Sequence, residues 1–263
     1  MNCIEDGWMR KVGIMSMQRI ANYGSFLQAY ALKQLIEEVG CNVEFVDYHV
    51  GAPVITENAD SKNKVVRKIE KGLETFRYRA PLAHKLSFIR YKQSFAQKYM
   101  PLLGITDEMN YNPTVDCLVI GSDEVFNCIQ KNSNVGYSPE LFGKNNHAKK
   151  LITYAASFGN TTLEKLEKYK KANEVGALLK KFDAISVRDA NSGTIVEQLT
   201  GKEPVYNLDP VLTYDYMNCC DKIPQVQTNE KYLILYAYAG RISNDEADWI
   251  AAYAKKKNLK VYA

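Results

Sequence analysis

Five short stretches carry side chains able to bind polar groups or move protons, and most of them follow an apolar run. They are Asn22-Tyr23-Gly24-Ser25, Ser122-Asp123, Ser157, Arg188-Asp189 and Asp209. An amide and a hydroxyl at a helix start, as in Asn22 and Ser25, suit a phosphate or sugar hydroxyls. A hydroxyl beside a carboxylate, as in Ser122-Asp123, gives a polar grip on a ligand, and a guanidinium such as Arg188 can hold an anion. Each also has a plain structural reading. The first loop is a strand-to-helix turn with a capping serine, Arg188-Asp189 a local ion pair, and Asp209-Pro210 a turn. Recurrence of polar groups at the same end of successive strands says more than any one of them.

The elements that must carry these residues alternate. Val12 to Met15 is an apolar strand. After the polar loop, Phe26, Leu27, Tyr30, Ala31, Leu35 and Val39 keep helical spacing, with Ser25 as the expected N-cap and Gly40 as the stop. Val43 to Val46 returns as a strand. Strand, helix and strand in this order predict a parallel pair with a right-handed crossover, and the loop after the first strand becomes a ligand position. Its single glycine is not the G-x-G-x-x-G of dinucleotide binding. Further strands are expected at Val115 to Ile120, Leu151 to Ala156, Ala184 to Val187 and Val205 to Leu208. Helices are expected over Thr161 to Lys181, opened by Thr161 or Thr162, and over Ala190 to Leu199. The pattern is α/β, a Rossmann-like doubly wound parallel sheet.

Between Lys62 and Lys98 the chain has eleven Lys or Arg against two Glu. Apolar residues at Val65, Val66, Ile69, Leu73 and Phe76, then Leu82, Leu86, Ile89 and Phe95, predict two helices broken near Ala80-Pro81. Their basic face reads as a solvated insertion, or as a surface for an anionic acceptor or lipid headgroups. Residues 215–230 are polar and read as a linker. Tyr232 to Ala239 then starts a strand, and Ser243 with Glu246 forms a capping box for a helix to Lys257. Val261 to Ala263 begins another strand. The expected organisation is an N-terminal domain over 1–214 with a basic helical insertion at about 57–100, a linker over 215–230, and over 231–263 the start of a second domain. A unit ending in its second strand cannot close a core, so a longer protein or a partner is expected to complete it.

The net charge of +4 does not by itself argue for nucleic acid, which rests only on the basic run. The N-terminus has acidic residues and no apolar segment of a signal peptide. Six cysteines without C-x-x-C spacing fit a reduced, cytoplasmic protein, and Cys219-Cys220 has no neighbouring ligand to make a metal site. Eighteen tyrosines suit sugar-facing surfaces as well as half-buried positions.

Asn22-Tyr23-Gly24-Ser25-Phe26-Leu27-Gln28-Ala29-Tyr30-Ala31-Leu32 resembles the opening motif of the polysaccharide pyruvyl transferase family. Gly121-Ser122-Asp123-Glu124-Val125-Phe126-Asn127 resembles its second motif, commonly Gly-Ser-Asp-Gln-Val-Trp-Asn. Tyr154 to Gly159, Ser186 to Asp189 and Asp209 to Leu212 are similar to later ones. The resemblance implies two Rossmann-like domains facing a cleft, as in GT-B glycosyltransferases. It implies transfer of a pyruvyl group from phosphoenolpyruvate, the donor substrate, to two hydroxyls of a cell-surface polysaccharide or its lipid-linked precursor, with no cofactor. Such chemistry needs a general acid and cations for the donor. Arg188 is the expected donor contact, while Asn22, Ser25, Asp123 and Ser157 hold the acceptor or shape the cleft. Glu124 and Phe126 stand where Gln and Trp are commoner, a difference that bears on the acceptor. The family's acid is expected as a histidine of the C-terminal domain, and His49, His84 and His147 do not match it. Expected partners besides the donor and glycan are the inner membrane face and a second copy of the chain. A nucleotide-sugar glycosyltransferase and a non-catalytic sugar-binding domain remain alternatives on the same fold.

Overall fold

The computed structural model describes residues 4–5, 8–55, 82–130, 135–217, 219, 229–237 and 241–262. Two compact units divide the chain, 1–215 and 216–263. The expected helix over 61–80, the break at Ala80-Pro81, Cys220 and most of the expected linker lie outside the described residues.

Unit one begins with a short antiparallel pair, β1 (Ile4–Glu5) and β2 (Trp8–Met9). Its centre is a parallel sheet. β3 (Lys11–Met15) is apolar and buried along most of its length, as a strand covered on both faces must be. It pairs with β4 (Asn42–Phe45) on one side and β5 (Cys117–Gly121) on the other, and β5 pairs with β6 (Lys150–Tyr154). Parallel bridges from Ile152 to Ala184 and from Ala156 to Val187 continue the sheet to β7 (Ser186–Val187), which pairs with β8 (Val205–Tyr206). The spatial order is therefore β4-β3-β5-β6-β7-β8. The chain moves outward from β3 to β4, crosses back to β5 and then proceeds the other way. The strand order reverses between β3 and β5, and the crevice at their carboxyl ends is where open α/β sheets take ligands.

Helix α1 (Tyr23–Glu38) connects β3 to β4. Asn22 caps it, its Oδ1 accepting from the Gly24 amide at 2.7 Å. Ser25, the expected cap, lies inside the first turn instead, because Asn22, three residues earlier, already takes the capping position. At the other end Gly40 adopts φ +84°, and Cys41 and Gly40 return hydrogen bonds to the Ile36 and Glu37 carbonyls, a Schellman closure.

Helix α2 (Leu82–Leu103) lies against α1 through rings. Phe95 is fully buried among Tyr23, Phe26, Tyr91 and Tyr99, at centroid distances of 4.8–6.5 Å. Of the expected stripe, Leu82 and Leu86 are exposed and Phe95 is buried, with Tyr91 and Tyr99 joining it against α1. Aromatic area on α1 selects an aromatic face over an aliphatic one.

The expected helix over Thr161 to Lys181 is two helices, α3 (Leu163–Lys168), capped by Thr162, and α4 (Ala172–Leu179). Lys170 at φ +54° makes the break. Helix α5 (Ala190–Thr200) is capped by Asp189, and the four-residue α6 (Pro210–Thr213) by Asp209. The core is aromatic around Phe126, whose ring stacks on Phe142 at 4.7 Å and meets Phe158 at 5.2 Å.

In unit two, β9 (Tyr232–Ile234) pairs in parallel with β10 (Lys260–Tyr262). Between them α7 (Asn244–Lys257) opens with the capping box of Ser243 and Glu246. No helix among the described residues is long and apolar enough to cross a membrane.

Candidate functional site

The loops after β3, β5, β6, β7 and β8 bring the polar stretches to one edge. At the switch point β5 ends in Gly121, at φ +130°, where a Cβ would run into the Tyr154 carbonyl oxygen. Only glycine lets β5 and β6 stay this close as the chain turns out of the sheet. The Ser122 hydroxyl then accepts from the Asp123 amide at 2.6 Å, and Asp123 takes a left-handed φ of +77°, which Asp tolerates better than most residues.

Asp123 joins two sides of the crevice. Its Oδ2 accepts from the Ser25 hydroxyl at 2.9 Å, and its Oδ1 lies 3.6 Å from Nη2 of Arg188. Arg188 also donates through Nη1 to Asp209 Oδ2, and the Ser122 hydroxyl reaches the same oxygen at 3.4 Å. Ser25, Ser122, Asp123, Arg188 and Asp209, from four strand ends, therefore form one connected cluster. Behind it, Gln28 donates to the Ser16 hydroxyl and the Ser25 carbonyl, and Ser16 donates to the Ser122 carbonyl. These buried bonds fix α1 against β5 and aim Ser25 at Asp123.

Ser157 belongs to an adjoining cluster. It donates to Asp189 Oδ2 at 2.7 Å and accepts from the Gly159 amide, while Asp189 also takes the amide and hydroxyl of Ser192. Asp189 is thus a helix cap tied to Ser157, and its neighbour Arg188 bonds elsewhere. Asn22 is occupied as the α1 cap. Phe126 is a core ring with no exposure, so its departure from Trp touches packing rather than the crevice. Glu124 accepts from Asn127 at 2.8 Å.

Three residues at this edge carry no motif. Arg19, in the loop after β3, is a second strand-end cation beside Arg188. Its Nε and Nη2 grip both oxygens of Asp47 at 2.6 and 2.7 Å, and two further donors meet the Thr106 and Glu108 carbonyls. The hydrogen bond to Asp47 holds the guanidinium pKa above its ordinary value. Tyr48 follows Asp47, packed half-buried against the core. Burial and the nearby charges of Asp123 and Asp47 push its phenol pKa up to about 12, so it stays protonated at neutral pH. The available signal was positional: Asp47 and Tyr48 end the strand beside the switch point, and Arg19 faces them from the neighbouring loop.

The histidines stand apart. His49 stacks on Tyr111 at 4.0 Å with Nδ1 3.0 Å from Glu140, and His84 and His147 are exposed. Among the described residues no group of three His, Cys, Asp or Glu side chains could hold a metal ion.

The sequence model of the family described as polysaccharide pyruvyl transferase matches residues 22–259. The chain belongs to the polysaccharide pyruvyl transferase family. No curated protein and no solved structure is significantly similar to it. Ser25, Ser122, Asp123, Arg188 and Asp209 all lie within the matched stretch. The match supports pyruvyl transferase activity in polysaccharide biosynthesis.

Proposed function

We propose that the protein transfers the pyruvyl group of phosphoenolpyruvate to two hydroxyls of one sugar in a polysaccharide or its lipid-linked precursor, forming a cyclic ketal. Donor carbon two gains two C–O bonds to the sugar and loses the phosphate oxygen, while its methylene gains a proton to become a methyl group. Two sugar hydroxyls give up their protons, one matched by the new methyl hydrogen and the other by the departing phosphate. The placement of Asp123, bonded to Ser25 on one side and facing Arg188 on the other, carries this reading. A carboxylate there can accept from an attacking hydroxyl and take its proton as the bond to carbon forms.

Arg188 is the proposed donor contact. Its guanidinium has five donors, of which Nη1 serves Asp209 and Nη2 faces Asp123, so its Nε–H side is left for a carboxylate or phosphate. Two carboxylates beside one guanidinium make this edge a weak anion site on its own. Further cations must meet the donor. Asn22, through its amide donors, lines the acceptor side, whereas Ser157 is buried and bonded to Asp189 and shapes the edge rather than meeting the sugar. A lipid-linked acceptor would bring the protein to the inner membrane face.

The test is phosphate release from phosphoenolpyruvate by the full-length gene product with a panel of lipid-linked and nucleotide-linked sugars. Release should require a sugar, and Arg188→Ala should lower kcat/KM for the donor by about a hundredfold. Release indifferent to Arg188→Ala would remove the donor assignment. Absence of release together with tight binding of uridine diphosphate would replace pyruvyl transfer by glycosyl transfer.

A further inference from the structure

Beside the cluster, an open cleft of about 300 Å³ lies at the ends of β3 and β4, at the small end of the range of small-molecule sites. Its walls include Ile20, Ala21, Tyr48, Val50 and Met109, and its polar lining is Gln18 and the Arg19–Asp47 pair. That pair and Gln18 spend their hydrogen bonds within the protein. Tyr48 differs. Its hydroxyl has no hydrogen-bond partner among the described residues, although its ring packs on the core, and Gln18 in the same lining is tied through Ser16 to the Ser122 carbonyl next to Asp123.

We propose that this cleft is the acceptor subsite, that it takes a neutral pyranose ring, and that the Tyr48 hydroxyl donates to a ring substituent while Asp123 receives the attacking hydroxyl. The inference rests on the pyruvyl transfer reading and names the residues that hold the sugar. An uncharged polyol fits the cleft's chemistry. The guanidinium in its lining is already neutralised, so a phosphate would find no free cation there. The C–H face of a pyranose packs on apolar and aromatic surface such as Ile20, Val50 and the Tyr48 ring. The phenol oxygen is not sealed from solvent, so water meets it in the free protein and a ring hydroxyl takes that water's place. Ala21 adjoins Asn22, so a ring in the cleft borders the first turn of α1.

Tyr48→Phe tests the proposal cleanly, because the oxygen it removes bonds nothing in the protein. The melting temperature should not fall. KM for the sugar should rise about three- to tenfold, the loss of one neutral hydrogen bond, with KM for phosphoenolpyruvate unchanged. Equal KM for the sugar in both proteins would overturn the subsite. Binding of methyl pyranosides and of uridine diphosphate, followed by saturation-transfer NMR, gives a readout independent of turnover. Pyranoside binding weakened by Tyr48→Phe supports the subsite even where no phosphate is released, a result that would count against pyruvyl transfer alone. Pyranoside binding indifferent to Tyr48→Phe, no binding of any pyranoside, or displacement of the pyranoside by uridine diphosphate would each overturn it.

Discussion

Two arginine–aspartate pairs sit at the carboxyl edge of the same sheet, and they are built to opposite ends. Arg19 and Asp47 are nearly saturated. The guanidinium spends four of its five donors on both carboxylate oxygens and two carbonyls, and Asp47, 4% exposed, also takes the Gln18 amide and the Asn110 backbone N–H. Arg188 is shared between Asp209 and Asp123, reaching the second only at 3.6 Å. The first pair fastens the segment around residues 106–110 to the end of β4. The second keeps hydrogen-bonding capacity in reserve. Saturation suits a structural lock, and unspent capacity at a switch point suits the ligand contact proposed for Arg188.

That contrast has measurable edges. The largest effect is expected from Asp47→Ala, which strips four donors of their acceptor and leaves Arg19 uncompensated. It should cost about 3 kcal/mol or more of stability, read from urea unfolding. A loss below about 1 kcal/mol would mean that the saturated pair is ornamental. Next, Asp123→Asn should lower kcat about a hundredfold, as removal of a positioned base does. Its stability should stay within about 1 kcal/mol of the parent, since the amide oxygen can still accept from Ser25. Large destabilisation without loss of kcat would make this cluster a second lock.

The smallest effect belongs to an exposed pair on the same sheet, Lys150 and Asp183 at 2.9 Å. The Leu151 backbone N–H, then Lys150, hold the Asp183 carboxyl below its ordinary 3.8. A depressed folded pKa gives stability that is present above the unfolded value and lost as pH falls through the folded one. Asp183→Asn should therefore flatten the loss of stability on acidification below about pH 4, matching the parent at low pH and falling slightly below it at pH 7. An unchanged acid profile would show that neither the amide nor the lysine favours the charged form.

Much of the edge was legible as a pattern. Ser122-Asp123, Arg188-Asp189 and Asp209 each follow an apolar run, and a strand that stops at a polar residue delivers it to the carboxyl edge. Which of them meet was not legible. Asp189 adjoins Arg188 in sequence, yet it bonds Ser157 and Ser192, while Arg188 turns to Asp209 and Asp123. Successive residues of an extended segment point in opposite directions, so neighbours in the chain part company. Ser25 was misread in role because several short polar residues compete for one cap. In α2 only the Phe95 end of the expected apolar stripe is buried, because its partner on α1 is the pair of rings Tyr23 and Phe26.

The sequence by itself determined the local elements: apolar runs of strand length, the glycine stop of α1, the capping box of α7 and the motifs that mark the family. These depend on residues a few positions apart, where backbone sterics and short hydrogen bonds decide. Only the tertiary structure decided the strand order, the union of Ser25, Asp123 and Arg188, the locking of Arg19 onto Asp47, and the unspent hydroxyl of Tyr48. Those depend on which strands lie side by side, a choice settled by burying whole faces of the sheet at once rather than by any local preference.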